Sequence, residues 1–280
     1  MLKKQKPNKA NSISKKSISI RTWTKPKLIA EFKKIEAMGW IENYRGKNDG
    51  AVGNIIEDLL GIKENNLPIP NAAEWELKSQ RGNTSSLTTM FHSEPSPRAI
   101  GFIPQLLLPY YGWKHREAGK KYPTTEMSFR QTLHAGAYSD RGFIVKIDRK
   151  EEKIKISFNS KKVAAKHHAW LSKIKRNVGL KELDPQPYWG FDDLASKVRT
   201  KLLNCFYVQA EVKKENGKEY FHYNKVLMLQ NFSFDGFLKE LEKGNILVDF
   251  DARTGHNHGT KFRMRKNCLP NLYQKVTTIV

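Results

Sequence analysis

Residues 71–81 read NAAEWELKSQR, and Glu74, Glu76 and Lys78 stand at every second position around Trp75 and Leu77. A period of two is the period of a β-strand, so the three polar side chains share one face. Before this strand the spacing changes. From Lys25, the apolar residues Leu28, Ile29, Phe32, Ile35 and Met38 recur at helical intervals and Gly39 stops the run. After the polar stretch YRGKNDG (44–50), Val52, Ile55, Ile56, Leu59 and Leu60 form a second apolar helix face that ends at Gly61, with Glu57 near its edge. The Pro- and Asn-rich connection IKENNLPIPN (62–71) then leads into the strand. Helix, loop and strand in this order bring Glu57 and Glu76 towards each other.

Downstream, GFIVKID (142–148) and KIKISF (153–158) alternate around the charged turn RKEEK and predict an antiparallel hairpin. FDDLASKVRTKLLN (191–204) predicts a helix. CFYVQAEVK (205–213) and YFHYNKVLML (220–229) predict a second hairpin around KENGKE, followed by a helix at FDGFLKELEKG (234–244). NILVDFDAR (245–253) and TKFRMR (260–265) read as strands flanking the polar loop TGHNHG, and QKVTTIV (274–280) as a last strand. No internal repeat interrupts this order, which fits a mixed α/β domain with an elaborated second half.

The chain of 280 residues carries 50 Lys and Arg against 28 Asp and Glu, a net charge of +22. Six of the lysines lie in residues 1–20, which hold no acidic residue, so +16 belongs to the remainder. A folded part this basic points to a polyanionic partner, nucleic acid before an anionic membrane surface. No helix pairs a strongly basic face with a broad apolar one, which disfavours the membrane. The 39% apolar content supports a core without staples. Cys205 and Cys268 lack the spacing of a zinc site and number too few for a disulfide framework. No apolar stretch reaches membrane-span length and no secretory signal precedes the domain, so a cytoplasmic location is expected.

Phosphodiester hydrolysis needs a hard cation on oxygen ligands, an activated water and a positive group beside the phosphate. On a strand, Glu76 and Lys78 lie about 6 to 7 Å apart at Cα and meet those needs. The pattern is common, however: an acidic residue two before a lysine also occurs at Glu31, Asp148, Glu151 and Glu211, so a solvated strand face is the competing reading. Arg253, His256, His258, Lys261, Arg263 and Arg265 in ARTGHNHGTKFRMR form a dense set of donors suited to phosphates and guanine edges. The adjacent His-Asn-His at 256–258 is a coincidence of letters, because a nuclease ββα site spreads its three residues. Tyr110, Tyr111, Trp113, Trp170 and Trp189 are assigned to packing. His167 and His168 are assigned to a solvated helical face.

Taken together, these segments resemble a known family. GNIIEDLLGIKENNLPIPNAAEWELKSQRGNTSSLTTMFHSEP (53–95) is similar to the catalytic segment of the MvaI/BcnI type II restriction endonucleases, relatives of the mismatch-repair nicking enzyme MutH within the PD-(D/E)xK nucleases. HNHGTKFR (256–263) resembles the family's HxHGTxFR segment. FRQTLHAGAYSDRGFIVKID, YWGFDDL and FHYNKVLML fall in matching order between, and the likeness spans roughly residues 37–280. It implies a restriction-endonuclease-like α/β fold: a mixed central sheet flanked by helices, in two lobes. Residues 1–20 would be a basic flexible tail, 21–160 mainly the catalytic lobe and 161–280 mainly the DNA-recognition lobe.

By the same resemblance Glu76 is a metal ligand, Lys78 the catalytic lysine and Glu57 the upstream glutamate, with Mg²⁺ as cofactor. His258 and Arg263 fall where base contacts are made, with His256 and Arg253 beside them. The family's aspartate aligns with Asn71, whose amide oxygen can ligate a hard cation without supplying charge. Either Glu74 or Glu57 makes up that charge, or Asn71 silences cleavage and leaves a sequence-specific DNA-binding protein. Retention of Glu57, Glu76 and Lys78 favours an active enzyme. The expectation is a monomer that cuts double-stranded DNA at a short site, with a separate methyltransferase as a possible cognate partner. A mismatch-repair-type nicking enzyme is the alternative within nucleases.

Overall fold

A computed structural model describes residues 23–46, 48, 50–62, 72–82 and 84–280. Asn71 and the basic stretch 1–20 lie outside the described residues. In chain order the first elements are α1 (Lys25–Ala37), β1 (Ile41–Glu42), α2 (Ala51–Leu60), β2 (Trp75–Arg81) and β3 (Thr88–His92). A π-helical turn at Ile103–Leu107 runs into α3 (Leu108–Tyr111), followed by β4 (Trp113–Lys114), β5 (Met127–Leu133), β6 (Arg141–Asp148) and β7 (Lys153–Val163). Then come α4 (His168–Asn177), β8 (Tyr188–Gly190), α5 (Phe191–Leu202), β9 (Asn204–Glu215), β10 (Lys218–Phe232) and α6 (Phe234–Glu242). β11 (Ile246–Arg253), β12 (His256–Asn257), β13 (Lys261–Met264) and β14 (Tyr273–Thr278) complete the described chain.

The predicted amphipathic helices form where their apolar periodicity puts them. α1 buries Leu28, Phe32 and Ile35, and α2 buries Val52, Ile55, Ile56 and Leu60. Gly61 ends α2 in the left-handed region at φ 67°, a conformation that costs glycine nothing. Met38 departs from the predicted face: it lies at the end of α1 and is 58% exposed.

Three sheets carry the strands. In the first, β2 is an edge strand, parallel to β9, which pairs antiparallel with β10; β1 and β14 pair with β10. The β9–β10 hairpin closes at Asn216-Gly217, both at positive φ, as an Asn-Gly turn requires. The second sheet has the order β3-β13-β11-β5-β4, with β12 folding back on β11. The third is β6-β7-β8. Sheets draw on both halves of the chain, since β2 of the first half is completed by β9, β10 and β14 of the second. One face of the first sheet packs Trp75, Leu77, Phe206, Val208 and Phe221 against α1 and α2. Its other face, with Cys205, Tyr207 and Leu229, joins a larger core shared with the remaining sheets and α5. The strand holding Glu76 therefore has covered faces on both sides.

Candidate active site and nucleic-acid interface

β2 begins with three consecutive buried residues, Trp75, Glu76 and Leu77. Glu76 is 1% exposed, so the reading of its face as ordinary solvated surface fails. A buried carboxylate must be paired, and Lys78 supplies the partner, its Nζ standing 2.5 Å from Glu76 Oε1. Lys201 Nζ approaches the same oxygen at 3.8 Å. The other oxygen, Oε2, is buried and has no hydrogen-bond partner among the described residues. Glu74 lies just outside the strand, where its Oε1 accepts a hydrogen bond from the Trp75 indole at 3.1 Å.

Lys201 reaches this place through strand register. β2 and β9 run parallel with Glu76 opposite Cys205, and α5 ends at Leu202 just before β9 begins. The last turn of α5 is thus delivered to the carboxylate. Burial lowers the Lys201 amine below the ordinary lysine value; the charges of Glu76 and Glu57 oppose that shift and Lys78 adds to it. The charges of Glu57 and Glu76 thus both act on this ammonium.

Beside Lys78 opens a cleft of about 640 Å³, lined by Gly50, Val52, Gly53 and Asn54 at the start of α2, Leu77–Ser79 of β2, Thr89–His92 of β3, and Lys201. β3 is the edge of the second sheet, so the cleft lies where the two sheets adjoin. Burial, then the charges of Lys261, Lys201, Lys197 and Lys78, hold the His92 imidazole below its usual pKa. Neither His92 nor the two α5 lysines was singled out in the sequence. The spacing of Lys197 and Lys201, four apart on a helix leading into a strand, was the available signal.

The predicted recognition residues gather on the second sheet. Lys261 pairs across from His92 in the β13–β3 register, which links this surface to the cleft. Asp249 and Asp251 of β11 share a face with Thr132 and Arg130 of β5: Arg130 Nε donates to Asp251 at 2.7 Å and Thr132 Oγ1 to Asp249 at 2.7 Å. Arg263 donates to Asp249 at 3.3 Å and to the Leu87 carbonyl at 3.0 Å. Arg253 binds Glu126 at 3.1 Å and lies over the Tyr122 ring, 4.7 Å from its centroid. His256 of β12 and His258 just after it are exposed, their rings 4.2 Å apart. Burial works to raise the Asp251 carboxyl, but the Arg130 hydrogen bond and the charges of Arg130, His258 and Lys261 carry it below its ordinary value. The motif letters between these residues also have a role. Thr260 is fully buried and donates from N and Oγ1 to the two oxygens of Glu94 at 2.9 and 3.0 Å, while Asn257 reaches Glu94 at 3.4 Å.

Other candidates resolve as packing. Cys205 is buried, with its thiol pushed up by burial, and Cys268 is half-buried; neither forms a disulfide. Trp189 and Tyr111 are core residues, and Arg141 lies over both Trp113 and Trp170. Tyr110 departs from the packing assignment at 43% exposed. His167 faces Asp140 at 2.9 Å. Among the described residues no helix is long and apolar enough to cross a membrane.

A mixed α/β architecture with a carboxylate-lysine pair on an edge strand, behind a basic cleft, has the form of the restriction-endonuclease fold, and solved structures bear this out. The restriction endonuclease MvaI in complex with its cognate DNA substrate is similar over 92% of this chain and 100% of that one, with a TM-score of 0.72 at 23% identity. MvaI in the absence of DNA matches over 93% and 100%, with a TM-score of 0.52 at 23% identity. No curated protein matches the sequence. The model of the MvaI/BcnI restriction endonuclease family matches residues 29–273, and the chain belongs to that family.

Proposed function

We propose that the protein is a Mg²⁺-dependent endonuclease that hydrolyses phosphodiester bonds of double-stranded DNA at a short specific sequence. The observation that carries this reading is the buried Glu76, held by Lys78 through one oxygen, with the other oxygen lacking a partner among the described residues, beside a cleft that Lys78 lines. Among the described residues no group of three His, Cys, Asp or Glu side chains is placed to hold a metal; the carboxylates assigned as ligands are Glu76 and Glu57, whose charges both act on Lys201. An all-oxygen set fits a hard cation, and Asn71 would complete it with its amide oxygen. Glu74 is turned to the Trp75 indole, which leaves Glu57 as the better source of the charge Asn71 lacks. When bound, the cation supplies a lowered water pKa and a counter-charge at the phosphate.

The chain's own groups do the rest. Lys78 orients the attacking water and stabilises the charge that grows on the phosphate as the new P–O bond forms and the strand's P–O bond breaks. Arg263 and His258, with His256 and Arg253, read base edges from the second sheet, and the basic surface grips the backbone. The protein acts as a monomer in the cytoplasm, with a separate methyltransferase protecting the host's sites. Asn71 favours a second reading, a protein that binds a specific sequence without cutting it.

Purified protein is incubated with unmethylated plasmid and phage DNA plus Mg²⁺, with an EDTA control, and fragment ends are mapped. Discrete Mg²⁺-dependent fragments are expected. Intact DNA with the wild-type chain and cleavage by Asn71→Asp would select the silent-binder reading, and intact DNA with both would overturn the nuclease.

A further inference from the structure

We infer that Arg130 of β5, held in place by Asp251 of β11, is a specificity-determining residue whose terminal nitrogens read the N7 and O6 edge of a guanine in the major groove. The inference rests on the proposed DNA-cleaving role and adds a base-reading pair to it.

The polar face of the second sheet begins at the cleft. In register across four strands stand His92 of β3, which lines the cleft, Lys261 of β13, Asp249 of β11 and Thr132 of β5. At about 4.8 Å between neighbouring strands, Thr132 lies about 14 Å from β3, the rise of about four base pairs. Asp251 and Arg130 pair directly in the β11–β5 register, each two residues from this row, so alternation puts both on the same face. A duplex seated in the cleft therefore reaches them within a short recognition sequence.

Arg263, Arg253 and Arg130 share this face by alternation, and their guanidinium groups differ in what they have left to donate. Arg263 gives Nη1 to Asp249 and Nη2 to the Leu87 carbonyl. Arg253 gives Nη1 to Glu126 and lies over the Tyr122 ring. Arg130 is 54% exposed, and its hydrogen bond among the described residues is made by Nε, to Asp251 Oδ1 at 2.7 Å. Lys261 Nζ lies 3.6 Å from the other oxygen of Asp251, so the carboxylate that holds Arg130 is itself steadied from the opposite side. A carboxylate on Nε fixes the plane of the guanidinium and leaves Nη1 and Nη2 as an unspent pair of donors. That pair matches the two acceptors of guanine, N7 and O6, in the major groove.

An arginine that only grips a phosphate predicts something different, because its loss weakens every sequence alike. In the test, wild-type protein in EDTA selects from a pool of DNA duplexes with a randomised central segment, the bound molecules are sequenced, and affinities for the selected duplex are measured by anisotropy. Wild type is expected to yield a consensus that contains guanine. Arg130→Gln is expected to melt as wild type does and to lose discrimination at one guanine, by about 5- to 150-fold, while keeping the rest of the consensus. Replacing that guanine by 7-deazaguanine, which lacks the N7 acceptor, weakens binding by wild type and not by Arg130→Gln. Asp251→Ala frees the guanidinium and relaxes the same position, whereas Asp251→Asn, whose amide oxygen still accepts from Nε, retains more of the preference. Arg130→Lys keeps the charge without the fork, shows the loss in smaller degree, and keeps the test valid if Arg130→Gln fails to fold. A consensus without guanine, an unchanged consensus in the folded Arg130 variants, an effect of Asp251→Ala confined to another position, or a uniform loss across sequences with a shallower salt dependence would overturn the inference alone. Failure of wild-type protein to bind the pool, or binding without any consensus, would instead sink the site-specific DNA-cleaving role beneath it.

Discussion

Burial decides what Glu76 and Lys78 are. A glutamate two before a lysine occurs elsewhere in this chain, and sequence spacing could not separate those pairs from the one at 76 and 78. The 1% exposure of Glu76 does separate them, because a carboxylate is kept from water only where its pairing is worth the desolvation. Lys78→Ala is therefore expected to lower the cleavage rate by at least about 10²–10³-fold, the scale of losing one preorganised charge at a developing oxyanion. Duplex affinity in EDTA should change little, and full activity in the variant would remove Lys78 from the reaction. His92 offers a pH test with a defined sign. Burial and the charges of Lys261, Lys201, Lys197 and Lys78 lower its pKa in the folded state. The unfolded chain then binds more protons in the window between that lowered value and the ordinary one of about 6.5. Stability should rise with pH through this window and fall as the solution is acidified below about 6.5. Urea midpoints measured on either side of it should differ less in His92→Gln than in wild type; an equal difference would show that His92 is not the group responsible.

Elements were legible where their signals are local. α1, α2 and the β9–β10 hairpin follow from apolar period, a stop glycine and an Asn-Gly turn, all contained within short windows. β3 has no such signal: NTSSLTTMFH lacks clean alternation, and its partner β13 lies some 170 residues away in a pairing that nothing nearby specifies. The same distance hid Glu94. It follows β3, yet its two oxygens clasp the buried Thr260 just before β13. The tie fixes the His256–Thr260 segment to the chain that follows β3. Removing it with Glu94→Ala strands the Thr260 N–H and hydroxyl, a loss of about 1–3 kcal/mol in urea unfolding. A double-mutant cycle of Glu94→Ala with Thr260→Val should give a coupling of about 0.5–3 kcal/mol. Additive effects would show that the two do not act as a unit. If His256 and His258 read bases as proposed, Glu94→Ala should also lose preference for the recognised sequence over random duplex.

At the scale of the whole molecule, the sequence could supply the basic charge and the order of elements but not the fact that the first sheet needs both halves of the chain. β2 brings Glu76 and Lys78, while β9, β10 and α5, more than a hundred residues later, supply its sheet partners and Lys201. The cleft thus forms only in the complete fold. Its charge makes affinity for DNA steeply salt-dependent: with roughly 6 to 10 phosphate contacts, a fall of about 10³ to 10⁵ is expected between 50 and 200 mM salt. A flat response would count against a backbone-gripping surface. The chain also contains a single Glu76–Lys78 site, and one site engages one strand at a time. If the protein acts as a monomer, the two strands of a duplex must be cut in successive events. A supercoiled plasmid bearing one recognition sequence should then pass through a nicked circle before it becomes linear, and the nicked form should peak and decay at enzyme concentrations above that of the plasmid. Direct conversion to linear DNA without a nicked intermediate would require two sites acting together, and hence a dimer on the DNA. A nicked circle that persists as the end product would mean that the site cannot be presented to the second strand, the behaviour of a nicking enzyme. The three time courses differ in shape as well as in rate, so a single gel series separates them.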